Sequence, residues 1–263
     1  MQELQYFEKD YPITFSHIDN RGIARPSALF DIMQDAATEH ADALHLNADD
    51  LGALWVLSRL HCALTRPVRV HEAIHVRTWC AGIKGATWLR AFTLCVNGEE
   101  IAQALSAWVV LDRVSHRILR PTQIPAAQGY IALVPAACPA VPGKLLCAGL
   151  TPHHVHTVRY SDLDINGHMN NVKIVDVVCD GLELDRQDGL FVSEIQVNYT
   201  AECMPGEQLF PFVMGVQINV YLKIKRQFEI QPPQQRFLIA VGHHDAKAGC
   251  LQPPAGHAAF RAM

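Results

Sequence analysis

Apolar and polar residues alternate loosely over residues 5–16 and then give way to a polar turn at Asp19, Asn20, Arg21 and Gly22, which reads as a strand entering a turn. Pro26 offers a first helical position. Beyond it the apolar spacing lengthens to three and four, which places Leu29, Ile32, Met33, Ala36, His40 and Ala43 on one helical face. Four long β-type segments follow, beginning at Leu54, Glu72, Thr87 and Glu99, and Asn97-Gly98 is a two-residue hairpin signal between the last two. A single helix followed by a run of antiparallel strands predicts an α+β unit in which a curved sheet wraps the helix.

The pattern then breaks and restarts. Residues 121–150 carry Pro121, Pro125, Pro135, Pro139 and Pro142 among alanines with few charges, the composition of a linker. After it come a strand-like run over 153–160, a turn over 164–168 and the valine-rich segment that begins at Asn170. Propensity alone favours a strand for that segment. The spacing of Val172, Val175, Val178 and Leu182, and a capping Asn170 or Asn171, favour a helix. The first half agrees: laid over each other 145 residues apart, 15–35 and 160–180 match at Ser16 and Ser161, Asp19 and Asp164, Gly22 and Gly167, Asp31 and Asp176, and Asp35 and Asp180. Ser58 over Ser193 and Thr65 over Thr200 extend the match at an offset of 135. The chain therefore reads as a tandem duplication, with a first unit over 1–120, a linker over 121–150 and a second unit over 151–263. Further strands are expected from Phe191 through Cys203, within 207–230 and over 236–242, while 256–263 is too short to assign.

Composition narrows the function classes. With 263 residues, 49% hydrophobic and 18% charged, the chain is ordinary for a globular protein and long enough for two domains. No apolar run is long enough to span a bilayer, and the opening residues lack a basic start followed by an apolar stretch, so a soluble cytoplasmic protein is expected. Eight cysteines without a CxxC pair suit packing thiols in a reducing compartment. The histidines at 153, 154 and 156 and at 243 and 244 lack a zinc spacing, so neither a metal nor a cofactor is expected. A net charge of −4 gives no overall attraction to nucleic acid or anionic membrane.

The candidate chemistry lies at Asp164, Asn166 and His168, which recur at every second position. In extended chain they would point to one side. The first copy has Arg21 and Ile23 in place of Asn166 and His168, so one half kept a polar constellation and the other did not. A turn opening a helix presents backbone N–H groups and the positive end of the helix dipole to developing negative charge. With Glu202 as a further carboxylate, the set can activate water against a polarised carbonyl, and the expected reaction is acyl transfer to water.

Several ordered motifs, SDLDINGHMNNVKIV, WVLSRLHCAL, VRTWCAGIKG, WVVLDRVSHRILRP and VNYTAEC, resemble those of the plant and bacterial acyl-acyl-carrier-protein (acyl-ACP) thioesterases. The resemblance runs from about residue 5 to about 210. It implies a double hotdog, two tandem domains each with a central helix wrapped by an antiparallel sheet, and hydrolysis of a fatty acyl thioester on acyl carrier protein. By motif, Asp164, Asn166 and His168 match the family's catalytic loop, and Glu202 and Cys203 its acidic and thiol positions. Water activated by carboxylates and histidine is preferred to a cysteine nucleophile, because Glu202 and Cys203 are neighbours on an expected strand and face opposite sides. The resemblance assigns chain selection to the first half, where Leu29, Met33, Leu54 and Val56 are candidates for the acyl pocket. Arg113, Arg117 and Arg120 form a local basic cluster for docking an acidic carrier protein. Acyl-CoA hydrolysis, a hotdog dehydratase and a non-catalytic acyl or carrier binder are the alternatives, and the oligomeric state stays open, a homodimer included.

Overall fold

The computed structural model describes residues 5–129, 131, 142, 151–152, 155–181, 190–199, 201–213, 219–226 and 235–243. In the first half, β1 (Tyr6–Pro12) leads through a 3-10 turn (Phe15–His17) to α1 (Pro26–Ala43) and the short α2 (Ala48–Leu51). Then come β2 (Ala53–Leu64), β3 (Ala73–Lys84), β4 (Thr87–Val96), β5 (Glu99–Asp112) and β6 (Ile118–Leu119). After α3 (Pro125–Gln128), the second half holds β7 (Thr151–Pro152), β8 (His156–Thr157), a 3-10 turn (Tyr160–Asp162), α4 (Asn171–Asp180), β9 (Leu190–Asn198), β10 (Gln208–Val213), β11 (Asn219–Arg226) and β12 (Gln235–His243). The offset of 145 carries the first residue of α1 onto the first residue of α4, and Phe15–His17 onto Tyr160–Asp162.

All strands of the described residues join one antiparallel sheet, with the order β1-β3-β4-β5-β2-β9-β11-β12-β10-β7, β6 beside β5 and β8 beside β10. The halves meet at β2 and β9, where Arg59 lies opposite Asn198 and Ala63 opposite Glu194. On the concave side α1 and α4 are buried in one core that takes Phe30 and Met33 from α1, Val175 and Val178 from α4, Leu60 from β2 and Ile195 from β9. This is the tandem hotdog arrangement expected from the motifs.

Local differences from the sequence reading have physical causes. The buried surface of α1 is wider than one stripe: Ala28, Phe30 and Ala37 are buried with Leu29, Ile32, Met33, Ala36 and His40, because α4 covers a second side. Ala43 is exposed instead, and Leu44, the C-cap, takes the inward place as the chain leaves the helix. The strand expected through Cys203 ends at Asn198. Residues 204–207 form a turn closed by reciprocal Met204 and Glu207 hydrogen bonds with Gly206 at φ +83. The 207–230 run contains two strands, β10 and β11. The Pro/Ala-rich stretch begins as packed structure, since Ile124 and Ala127 are buried with Trp88 and Val110. Leu182 and 256–263 lie outside the described residues.

Candidate active site

The Asp164–His168 segment is a closed turn rather than extended chain. Leu163 and Met169 form an antiparallel bridge, and Asp164 N–H donates to the His168 carbonyl at 2.8 Å. Inside the turn, Asp164 Oδ1 accepts the N–H groups of Asn166 at 2.8 Å and His168 at 3.3 Å, and its carbonyl accepts Gly167 N–H at 3.1 Å. Gly167 sits at φ +80, a conformation open to glycine at little cost. The Asp164 carboxylate therefore braces the loop that presents Asn166 and His168. Asn166 is exposed, with Nδ2 3.4 Å from Asp164 Oδ2.

The first copy has the same backbone. Asp19 Oδ1 accepts the N–H groups of Arg21 at 2.9 Å and Ile23 at 3.3 Å, Asp19 N–H donates to Ile23 O at 2.9 Å, and Gly22 has φ +75. What differs is chemistry: Arg21 folds back onto Asp19 Oδ2 through Nε at 2.9 Å and Nη2 at 2.6 Å, and Ile23 is 6% exposed where the second copy has His168.

Glu202 completes the second copy. Met169 N–H donates to the Cys203 carbonyl at 2.8 Å, which pins residues 202–203 against the loop and leaves His168 Nε2 3.4 Å from Glu202 Oε2. Glu202 is 68% exposed at its side chain, so the pair opens to solvent. Cys203, its neighbour, is 1% exposed and faces the core although the two lie in a loop and not on the expected strand. Burial, and after it the Glu207 carboxylate, pushes the Cys203 thiol up to about 12. At pH 8 that leaves a thiolate fraction on the order of one in ten thousand. The fold thus brings Asp164, Asn166, His168 and Glu202 together and turns the Cys203 side chain away. Replacing Cys203 with Ala should leave kcat within a few-fold, and the thiol should resist alkylation at pH 8 until the protein unfolds. Loss of turnover in folded Cys203→Ala protein would restore the cysteine as nucleophile.

Asn170 is the N-cap of α4; its Oδ1 accepts Val172 N–H at 2.9 Å, and its carbonyl accepts those of Lys173 and Ile174. The helix therefore satisfies most of its own first turn, and Asn171 N–H, the first of the helix, has no acceptor among the described residues. Two further residues support the loop and were not singled out in the sequence. Asp162, 8% exposed, accepts His156 Nε2 at 2.9 Å and Arg159 N–H at 2.8 Å, and its carbonyl takes Asn170 N–H at 2.7 Å. The repeat spacing points to this role, since residue 17, its counterpart, closes the first 3-10 turn through His17 Nδ1 and Thr14 N–H at 3.2 Å.

Of the acyl-pocket candidates, Leu29 lines a cavity of about 410 Å³ between the 19–25 segment and α4. Met33 is packed in the core at 0% exposure, and Leu54 and Val56 are half-buried on β2 away from that cavity. Arg113, Arg117 and Arg120 are exposed around the β5–β6 turn, where Arg113 Nη1 pairs with Asp49 Oδ1 at 2.9 Å. That turn lies opposite Ala53, at the end of the sheet toward which β9 carries the chain to Glu202.

Comparison with known proteins identifies the family. Residues 4–124 match the family model for the acyl-ACP thioesterase N-terminal domain, and residues 151–235 match that for the C-terminal domain. A palmitoyl-acyl carrier protein thioesterase of Gossypium hirsutum is 23% identical over 232 residues, 77% of this chain and 53% of that protein. A dodecanoyl-[acyl-carrier-protein] hydrolase of Cinnamomum camphora is 26% identical over 200 residues, covering 67% of this chain and 50% of that protein. The chain spans about half the length of these curated relatives. Among solved structures, an acyl-ACP thioesterase from Bacteroides thetaiotaomicron superposes with a TM-score of 0.75 at 21% identity, covering 91% of this chain and 99% of that one. The 12:0-ACP thioesterase from Umbellularia californica gives 0.71 at 18%, covering 91% and 98%.

Proposed function

Because the chain belongs to the acyl-ACP thioesterase family, we propose that it hydrolyses the thioester of a fatty acyl group carried by acyl carrier protein, releasing free fatty acid and carrier thiol. The observation that carries this reading is the His168–Glu202 pair, 3.4 Å apart at the end of a braced loop that opens onto the first turn of α4. In the reaction, His168 oriented by Glu202 takes a proton from water as its oxygen attacks the thioester carbonyl carbon. Asn171 N–H and the dipole of α4 stabilise the oxyanion, and Asn166 orients the substrate. Collapse of the tetrahedral intermediate breaks the carbon–sulfur bond, and the leaving thiolate takes the proton back from His168. Asp164 acts by holding the loop, and no step requires the Cys203 sulfur. The test is thiol release from a panel of acyl chain lengths on carrier protein and on coenzyme A. Hydrolysis of the carrier-bound series is expected; release from coenzyme A alone, or from neither, would refute the assignment.

We further propose that the exposed arginines of the β5–β6 turn dock the acidic carrier. Exposed charges are screened by salt, with a Debye length near 8 Å at physiological ionic strength. The expected signature is a kcat/KM on carrier-bound substrate that falls as salt is added and falls again when Arg113, Arg117 and Arg120 are replaced by Gln, with kcat little changed. Salt dependence that is identical in the triple variant would move the docking site elsewhere.

A further inference from the structure

The loops around the His168 site are built twice. Gly206 N–H donates to the Val158 carbonyl at 3.0 Å, Val158 N–H to the Glu207 carbonyl at 2.9 Å, and Met169 N–H to the Cys203 carbonyl, so residues 158–169 and 203–207 lie side by side. In the first copy His71 N–H donates to the Ile13 carbonyl at 3.0 Å, Ile13 N–H to the Glu72 carbonyl at 2.8 Å, and Ala24 N–H to the Val68 carbonyl at 2.7 Å. The turns match down to the side chain: Glu207 Oε2 accepts Met204 N–H and Glu72 Oε2 accepts Arg69 N–H, both at 2.6 Å. With the backbone held constant, the two surfaces can be compared residue by residue.

They differ. Tyr160, Ile165 and Met204 are exposed apolar side chains around the catalytic loop, Ile165 completely so. Their counterparts are Phe15, Asn20 and Arg69, so two of the three apolar positions occur only in the copy that kept the chemistry. The third is covered differently. The Phe15 ring packs edge-on against His71 at 5.4 Å, whereas His71 has Gly206 as its counterpart and Tyr160 meets no ring among the described residues. Single exposed apolar residues are ordinary, but a group of them around a site marks an interaction surface. The carboxylates beside this group are already engaged, Asp164 and Glu207 by their own turns and Glu202 by His168. Arg159, exposed where the first copy has Thr14, pairs with no carboxylate among the described residues. An apolar collar with an unpaired cation at its edge fits a partner that is acidic around an apolar face.

We propose that Tyr160, Ile165 and Met204 form a docking collar for the carrier protein, whose apolar surface beside the attached arm rests on these three side chains while an acidic group meets Arg159. A macromolecule that delivers a thioester to the His168–Glu202 pair must bring its surface against the residues at that mouth. That the thioester arrives on a carrier rests on the hydrolase reading above. The collar and the β5–β6 arginines act by different forces, the arginines by charge and the collar by apolar contact, so salt weakens the first and spares the second.

The test is the double variant Ile165→Asn, Met204→Gln in the full chain; the first copy already carries Asn at the place of Ile165 on the same backbone. On the acyl chain turned over fastest, kcat/KM with carrier-bound substrate should fall about tenfold or more, as for the loss of two central interface contacts. The melting temperature and kcat should be unchanged, and the salt dependence should be as steep as in wild type. With the same acyl chain on pantetheine alone, which brings no protein surface, kcat/KM should not change. Binding is measured apart from turnover by titrating His168→Ala protein, with and without the two collar substitutions, with carrier bearing the acyl chain through an amide in place of the thioester; the dissociation constant should rise by the same factor. An equal fall on the pantetheine substrate, or no fall on either, would overturn the proposal. So would co-sedimentation with phosphatidylcholine vesicles that is lost in the double variant while carrier kinetics stay intact, since the collar would then belong to a lipid surface. Collar-dependent binding of the carrier amide without any thioester hydrolysis by wild type would refute the hydrolase reading alone.

Discussion

His168→Ala should lower kcat by 100-fold or more while the melting temperature stays within a degree or two of wild type. Removing a general acid–base group costs typically 10²–10⁴-fold, and the His168 side chain, 27% exposed and paired with Glu202, lies outside the buried apolar core. Asp164→Ala should be as inactive for a different reason. It deletes the acceptor of two backbone N–H groups, so it should also lower the melting temperature. Asp164→Asn separates the two roles, because an amide oxygen can still accept both bonds while the charge is gone. If Asp164 only braces the loop, the Asn variant retains turnover within about tenfold. An Asn variant as dead as His168→Ala, yet fully stable, would give Asp164 a direct part in the chemistry and displace the bracing account. Steady-state rates on a carrier-bound acyl chain, with thermal melts of each variant, decide between them.

Phe30→Ala should be the most damaging single change to the fold. The side chain is 1% exposed in the core that both halves share, and truncating such a phenylalanine costs about 3–5 kcal/mol. For a domain of this size that corresponds to a drop of roughly 6–20 °C. The more informative outcome is the shape of the melt. α1 and α4 contribute to one core and β2 and β9 continue one sheet, so the two halves should unfold in a single transition and Phe30→Ala should shift it as a whole. Two resolved transitions, with only the first displaced, would mean that the halves are stable independently.

The repeat made most of the fold legible. Once 15–35 was laid over 160–180, the helix at Asn171–Asp180 followed against the β-propensity of its valines, because its counterpart over Pro26–Ala43 has unambiguous helical spacing. The strand limits were less legible. Nothing in the apolar pattern from Phe191 onward marks Asn198 as the last paired residue, since the Met204–Glu207 turn is closed by a side chain reaching the backbone. The alternation of Asp164, Asn166 and His168 suggests extended chain, whereas the backbone there is a closed turn. An acidic side chain that accepts two N–H groups gathers alternate residues as well as a strand does, and only the glycine at 167 hinted at the turn. The support from Asp162 is legible in its position, which the offset of 145 aligns with residue 17, and not in its chemistry, because a carboxylate at 162 does what an imidazole does at 17.

A sheet this long, joined across its middle, leaves β1 as a terminal strand with β3 its only neighbour among the described residues. Its free side is an unpaired row of backbone donors and acceptors, an invitation to any other extended chain. The residues along it answer that hazard. Glu8, Lys9 and Asp10 are consecutive, exposed and tied to Arg77, Glu39 and His75, and Pro12 removes the final donor. An intruding strand would have to desolvate three charges and break their pairs before gaining its first hydrogen bond. Neutralising Glu8, Lys9 and Asp10 together would therefore be felt first as aggregation during expression and concentration, with the reaction at His168 left untouched.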